Sequence, residues 1–195
     1  MISMLTDPFT LFDDWFSQAK KDGVIRPNAV ALATSGKDGP PSLRMVLFKG
    51  LMNGKFLFYT NYKSRKANEI ENNPQVSLLF YWDILHRQII IEGGAEKIDS
   101  GISRDYFKTR PRDSQLSAWA SPQGQSIESR EFLLERFNEQ ERRFSNKEIP
   151  CPSFWGGYAV APCYFEFWRG KEKRLHERLC FRLKENVWES EYLAP

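Results

Sequence analysis

The sequence predicts a mainly β fold, a small antiparallel barrel with peripheral α-helices. Three observations predict it. Five or more short runs rich in β-branched and aromatic residues are bounded by Gly, Pro, Asn and Asp. Helical periodicity is confined to a few mostly short segments. Aromatic residues make up 14% of the 195, which suits a β-rich core or a stacking site for a planar ring.

The elements follow in order. Asp7-Pro8 reads as an N-cap and first turn, opening a helix over about 8–22 with Phe12, Trp15, Phe16 and Ala19 on one face and Gly23 at its end. Residues 29–34 read as a strand and 35–40 as a turn. Strands at 43–49 and 55–60 are joined through Asn53-Gly54, a strong hairpin signal. Ser64 is placed to cap a short helix carrying Arg65, Lys66 and Ile70, which stops before Pro74. Residues 76–82 and 88–98 read as a hairpin. A helix starting at Ser100 or Ser103 runs through Tyr106 and Phe107 to Arg110-Pro111, and a second helical stretch spans 114–120. The longest helix is expected over 126–144, with Leu133, Phe137 and Phe144 along one face. Strands with tight turns fill the C-terminal β region, about 156–195. The length fits one domain, 1–195, with no repeat, low-complexity tract or linker.

Composition narrows the function classes. A net charge of +3 forces no large nucleic-acid footprint. Three cysteines, none in a C-x-x-C pair, argue against a disulfide framework and a cysteine-based zinc site and for a reducing compartment. His86 and His176 lack metal-ligand spacing, so no metal is expected. The first residues show no secretory pattern and no apolar run approaches the roughly 20 residues that cross a bilayer, so a soluble cytoplasmic protein is expected. No nucleophile elbow, Walker loop or dinucleotide-binding glycine fingerprint occurs.

Several cationic clusters carry the chemistry. If 174–178 is a strand, Arg174, His176 and Arg178 share one face beside Trp168 and just after Gly170. Three such groups in a row repel each other unless something anionic or electron-rich lies opposite. Arg44 and Lys49 bracket an apolar strand; five residues apart, they point to opposite faces unless a bulge re-aims Lys49. After Tyr59-Thr60, the helix at Ser64 has Arg65 and Lys66 in its first turn. Basic residues there oppose the helix dipole, and a bound phosphate would reverse that penalty. Tyr106 and Arg110, four apart on one helical face, with Ser114 a turn later, form a second anion cradle. Gln88 and Gln123 offer amides to the edge of a heterocycle. For each cluster the plain alternative is a solvated surface.

Taken together, these motifs resemble the pyridoxine (pyridoxamine) 5′-phosphate oxidase family. The matching stretches are Arg44–Lys49, Phe58–Asn61, Ser64–Lys66, Asn73-Pro74, Arg87-Gln88, Tyr106-Phe107 with Arg110–Gln115, and Ala118–Ser121. Trp155-Gly156-Gly157, Glu166–Trp168, Arg174–His176 and Leu193–Pro195 complete the set. The resemblance covers nearly the whole chain from Asp7. It implies an FMN-binding split β-barrel of Greek-key type and a homodimer with FMN at its interface.

It further implies flavin-binding roles for Arg44, Lys49, Tyr59, Thr60, Arg65, Lys66, Gln88, Gln123, Trp168 and Arg178. Substrate-binding roles fall to Lys49, Tyr106, Arg110, Ser114, Arg174 and His176, the last two also catalytic. The implied reaction oxidises pyridoxamine or pyridoxine 5′-phosphate to pyridoxal 5′-phosphate, with oxygen reduced to hydrogen peroxide. Family members usually carry a segment upstream of Asp7 that helps cover the substrate, so a weaker or differently built closure is expected. Gly124, Glu177 and Tyr192 stand where the family usually has Ser, Asp and Arg, and Ile90 and Ile91 make their strand unusually apolar. Two alternatives remain open at this point: a split-barrel flavin reductase or carrier without vitamer oxidase activity, and a small-barrel nucleic-acid-binding module.

Overall fold

The computed structural model describes residues 7–195. Nine antiparallel strands form one curled sheet: β1 Ala29–Thr34, β2 Ser42–Leu47, β3 Leu51–Met52, β4 Lys55–Asn61, β5 Gln75–Trp82, β6 Arg87–Lys97, β7 Trp155–Arg169, β8 Glu177–Lys184 and β9 Val187–Tyr192. Their order is β2-β1-β5-β6-β7-β4-β3, with β8 and β9 branching from β7. The branch is what splits the barrel. One edge of β7 pairs with β6 from Tyr158 to Arg169, with one irregularity. Its other edge pairs with β4 over 155–160 and with β8 over 164–169. The β6–β7 register shifts at Glu92/Gly93. A Cβ at Gly93 would lie 2.0 Å from the Ala161 carbonyl oxygen, so only glycine fits this crossing of backbones.

Helix α1, Pro8–Lys21, starts on Asp7, whose carboxylate accepts from the Thr10 N–H at 2.9 Å. It buries Phe12, Trp15 and Ala19 in the main core. Phe12 meets Phe48, Phe56 and Phe80 edge-on at 5.5, 4.9 and 5.3 Å, and each such fully buried ring contributes about 1.5–3 kcal/mol. Helices α2 Arg65–Asn72, α3 Ser100–Lys108, α4 Arg112–Ala120 and α5 Arg130–Arg143 decorate the sheet. A second cluster, Phe107, Leu116, Phe144, Ile149 and Trp155, fastens α3 and α4 to the start of β7. No helix among the described residues is long and apolar enough to cross a membrane.

Three local expectations need correction. Strand β2 ends at Leu47, because the Phe48 and Lys49 N–H groups turn to the Asn28 and Leu57 carbonyls and Gly50 takes φ +104°. Asn53-Gly54, both with positive φ, joins β4 to the two-residue β3, not to the long strand before it. Helix α3, by contrast, starts at Ser100 as expected; Asp99 caps it, accepting from the Gly101 and Ile102 N–H groups, while the buried Ser103 hydroxyl accepts from Gly157 N–H at 3.2 Å. Helix α5 begins at Arg130, four residues later than its periodicity suggests, because Ser129 caps it through Phe132 N–H.

Candidate functional site

A cavity of about 920 Å3 opens where β2, β4, α3 and α4 meet the loop after α4. Its lining includes Arg44, Lys49, Tyr59, Thr60, Lys66, Tyr106, Arg110, Ser114 and Gln123. These residues lie far apart in the chain. The β4–β7 pairing and the packing of α3 and α4 on Trp155 bring them together.

One side of the cavity is a cationic floor. Lys66 is buried, and its Nζ donates to Thr60 Oγ1, Ser64 Oγ and Gln123 Oε1 at 3.1, 3.1 and 3.2 Å. Burial and then the nearby Arg44 charge lower its pKa to about 8, with Glu69 acting in the opposite sense. Ser64 holds the N-cap position of α2, yet its hydroxyl serves Lys66 and makes no capping bond. Arg44 donates through Nη1 to the Leu32 carbonyl at 3.1 Å and through Nη2 to Glu69 at 3.3 Å. Arg65 does not line the cavity; it is mostly exposed, with Nε 2.7 Å from Glu69 Oε1.

The other side is a wall of rings. Tyr59 stacks on Tyr106 with centroids 4.0 Å apart, and Trp155 lies nearly parallel to both. A Cβ at Gly157 would come within 2.9 Å of the Tyr59 ring, so that glycine lets the tyrosine lie flat on β7. The Arg110 guanidinium sits 4.6 Å from the Trp155 centroid, and its buried Nη1 has no hydrogen-bond partner. A buried donor without an acceptor costs about 1–3 kcal/mol, which an anionic ligand would recover. Arg110 lies just past the end of α3 instead of on its helical face, and still reaches the cavity with Tyr106. The turn at Gly50 re-aims Lys49, whose Nζ is 5.6 Å from the Tyr106 ring centroid.

The remaining candidates gather elsewhere. Gln88, Trp168 and Arg178 share one rung across β6, β7 and β8. Arg178 is fully engaged: Nε and Nη2 donate to Glu166 at 2.8 and 3.0 Å, and Nη1 to the Ala194 carbonyl at 2.9 Å. The expected strand through 174–178 is not formed. Residues Glu172–Arg174 make a 3₁₀ turn, Lys173 and Arg174 have φ of 55° and 61°, and β8 begins at Glu177. Strand alternation therefore does not put Arg174 on one face with His176 and Arg178. His176 is held differently, its ring 4.8 Å from that of Trp168 and its Nδ1 accepting from Lys171 N–H at 3.2 Å. None of Gln88, Trp168, Arg174, His176 or Arg178 lines the cavity of its own chain.

Two contributors were not singled out from sequence. Trp155 backs Tyr59 and Arg110; its Trp-Gly-Gly run was visible, but its role as a wall depends on the β4–β7 register. Glu69 is an acid behind the cations; its i+4 spacing from Arg65 was the available signal. Among the described residues no cluster of His, Cys, Asp or Glu is arranged to hold a metal.

The fold and site define a class: a split antiparallel barrel with a cation-floored, ring-walled cavity, chemically suited to a flat anionic ligand. Comparison with known proteins narrows the class. Residues 16–141 match the family model described as pyridoxamine 5′-phosphate oxidase, and residues 155–195 match the pyridoxine 5′-phosphate oxidase C-terminal dimerisation region. The chain belongs to the pyridoxamine 5′-phosphate oxidase family. A pyridoxine/pyridoxamine 5′-phosphate oxidase of Rippkaea orientalis is 52% identical over 97% of this chain and 90% of its own length. One from Leptospira interrogans is 48% identical over 97% and 89%. Among solved structures, PhzG from Burkholderia lata, crystallised with tetrahydrophenazine-1-carboxylic acid, superposes with a TM-score of 0.92 at 30% identity, covering 97% of this chain and 93% of that one. An FMN-binding protein from Nostoc punctiforme shares the fold, with a TM-score of 0.78 at 16% identity over 98% and 100%.

Proposed function

We propose that this protein is an FMN-dependent oxidase that converts pyridoxamine 5′-phosphate or pyridoxine 5′-phosphate to pyridoxal 5′-phosphate. One observation carries the reading: a single cavity holds two separate cationic groups, Arg44 with Lys66 and the partnerless Arg110, beside a wall of stacked rings. Two phosphate monoesters suit the two groups. The flavin phosphate falls to Arg44, Lys49, Arg65 and Lys66, with Tyr59, Thr60 and Gln123 beside it. The vitamer phosphate falls to Tyr106, Arg110 and Ser114, with Lys49 in reach of both. FMN, when bound, supplies a hydride acceptor that dioxygen regenerates with release of hydrogen peroxide.

The chain's own residues supply orientation and electrostatics. Arg110 and Ser114 fix the substrate at its phosphate, which leaves the pyridine ring to lie flat. Arg174 and His176 orient that ring by donating hydrogen bonds, and the proton of its 4′ substituent leaves to solvent. The Lys171 N–H on Nδ1 leaves the His176 Nε2 as the protonated nitrogen of the neutral ring. Both residues belong to the β7–β8 corner and neither lines its own chain's cavity. We therefore infer a homodimer in which the corner of one copy completes the cavity of the other, together with Gln88, Trp168 and Arg178. The match of residues 155–195 to a dimerisation region supports this.

We take the whole chain to be one FMN-binding domain, because β7 gives Trp155 to one hydrophobic cluster and Phe165 to the other. A cytoplasmic location belongs to the same proposal, supported by the free thiols of Cys151, Cys163 and Cys180. The test is spectroscopic. FMN-loaded protein mixed anaerobically with pyridoxamine 5′-phosphate should lose its yellow flavin absorption, and air should restore the colour with release of peroxide. A loaded protein that stays yellow with both phosphorylated vitamers would be a carrier or reductase instead. Turnover of unphosphorylated pyridoxamine at equal efficiency would deny Arg110 its role.

A further inference from the structure

Glu69 does not line the cavity; it stands behind the cations that do. It is 8% exposed. Its Oε2 accepts from Thr34 Oγ1 and Ser42 Oγ, each at 2.5 Å, and from Arg44 Nη2 at 3.3 Å. Its Oε1 accepts from Arg65 Nε at 2.7 Å. One carboxylate thus ties α2 to β1 and β2 and fixes two guanidinium groups from different elements. Arg44 completes the network by donating to the Thr34 and Ser42 hydroxyls as well. These bonds hold the Glu69 carboxyl at a pKa of about 2 despite its burial.

A carboxylate beside a phosphate site weakens the attraction unless it performs another task. Arg44, Arg65 and Lys66 repel one another, and burial penalises the Lys66 charge. With Lys49 the cradle has four cations, and one carboxylate offsets part of their mutual repulsion while leaving a net positive host for a phosphate monoester, a dianion above its second pKa of about 6. We propose that Glu69 is a positioning residue for the flavin phosphate, orienting Arg44 and Arg65 and offsetting the repulsion among the cradle's cations. The inference rests on the flavin reading above and extends it to a residue that touches neither flavin nor substrate.

Apoprotein titrated with FMN and with riboflavin, by quenching of flavin fluorescence, tests it. Riboflavin lacks the phosphate and reports on the rest of the site. Glu69→Ala should weaken FMN binding by about tenfold or more and leave riboflavin within about twofold. Glu69→Gln keeps one carbonyl acceptor for Thr34 and Ser42 but turns an amide toward Arg65, so its loss should be intermediate. Its alkaline limb of FMN binding should also move to lower pH, because no carboxylate then supports the Lys66 charge. Unchanged FMN affinity in both variants would overturn the proposal. So would equal losses for FMN and riboflavin, the mark of a merely structural residue. If Glu69→Ala does not fold, Glu69→Gln and its pH limb decide the matter alone: a shifted limb supports the proposal and an unmoved limb overturns it. Wild-type protein that binds FMN no more tightly than riboflavin would overturn the flavin reading itself, and the inference with it.

Discussion

The cavity and the β7–β8 corner are built on opposite plans. In the cavity, residues from six elements converge, charges are partly buried, and a carboxylate balances them. At the corner, the candidates are near neighbours on three adjacent strands and one turn, and Arg178 is already satisfied by Glu166 and the chain's own C-terminal segment. The cavity has an unmet electrostatic demand at Arg110; the corner presents groups held in place but with no pocket of their own. The contrast teaches how the labour divides. Long-range packing makes the cavity, and local hydrogen bonding holds His176 and Arg178 at the corner.

The strongest way to break this division is to empty the cavity of its free guanidinium. Arg110→Ala should raise KM for pyridoxamine 5′-phosphate about 10- to 100-fold, the worth of a charge-assisted bond of about 1.5–3 kcal/mol. Steady-state kinetics check it, and an equal rise for the unphosphorylated vitamer would contradict it. The next test joins the two regions. Arg174→Leu at the corner should lower kcat/KM by about tenfold. Co-expressed with Arg110→Ala, it should recover up to about a quarter of wild-type activity, because half the dimers are mixed and each mixed dimer holds one intact site. No recovery in mixed dimers would mean that the two regions do not share a site.

Proton linkage sharpens the comparison further. Lys66 has a folded pKa of about 8 against an ordinary 10.5. Between those values the unfolded chain binds more protons, so this group's contribution to apoprotein stability rises with pH across that window. A bound phosphate needs the charged form, so FMN affinity should fall as pH rises through about 8. Fluorescence titrations at several pH values read both the position and the sign of the limb. Glu69 acts at the acid end. With its pKa lowered to about 2 from 4.5, its stabilisation is present above 4.5 and is lost as pH falls toward 2. The stability gap between wild type and Glu69→Gln, read by denaturant unfolding at several pH values, should therefore be constant above 4.5 and close as pH falls toward 2. The smallest effect lies outside both regions. Asp7→Ala removes the α1 cap and should cost about 1 kcal/mol, about 2–4 °C in Tm, with flavin affinity unchanged.

Much of the fold was legible because its signals are local. Asp7-Pro8 opens α1, and Asn53-Gly54 makes a tight turn with the expected positive φ at both positions. The hairpin of β5 and β6 follows from its apolar runs. What failed was decided elsewhere. Residues 174–178 look like an alternating strand, but two consecutive residues with φ of 55° and 61° delay β8 to Glu177. The strand expected to reach Lys49 stops at Leu47, because Asn28 and Leu57 capture the next two N–H groups. Glu69 drew no notice, since a single acid on a basic helix gains meaning only when Thr34, Ser42 and Arg44 arrive from other strands.

The sequence by itself determined the residue types: which segments prefer strand or helix, where the cations and rings lie along the chain, and the family they resemble. Those preferences come from side-chain shape and backbone dihedrals within a few residues, so they can be read in order. Only the tertiary structure decided which cations share a floor, which rings share a wall, and that Arg174 and His176 stand apart from the cavity. Burial, register and charge balance arise between segments tens of residues apart, and they exist only once the sheet has closed around β7.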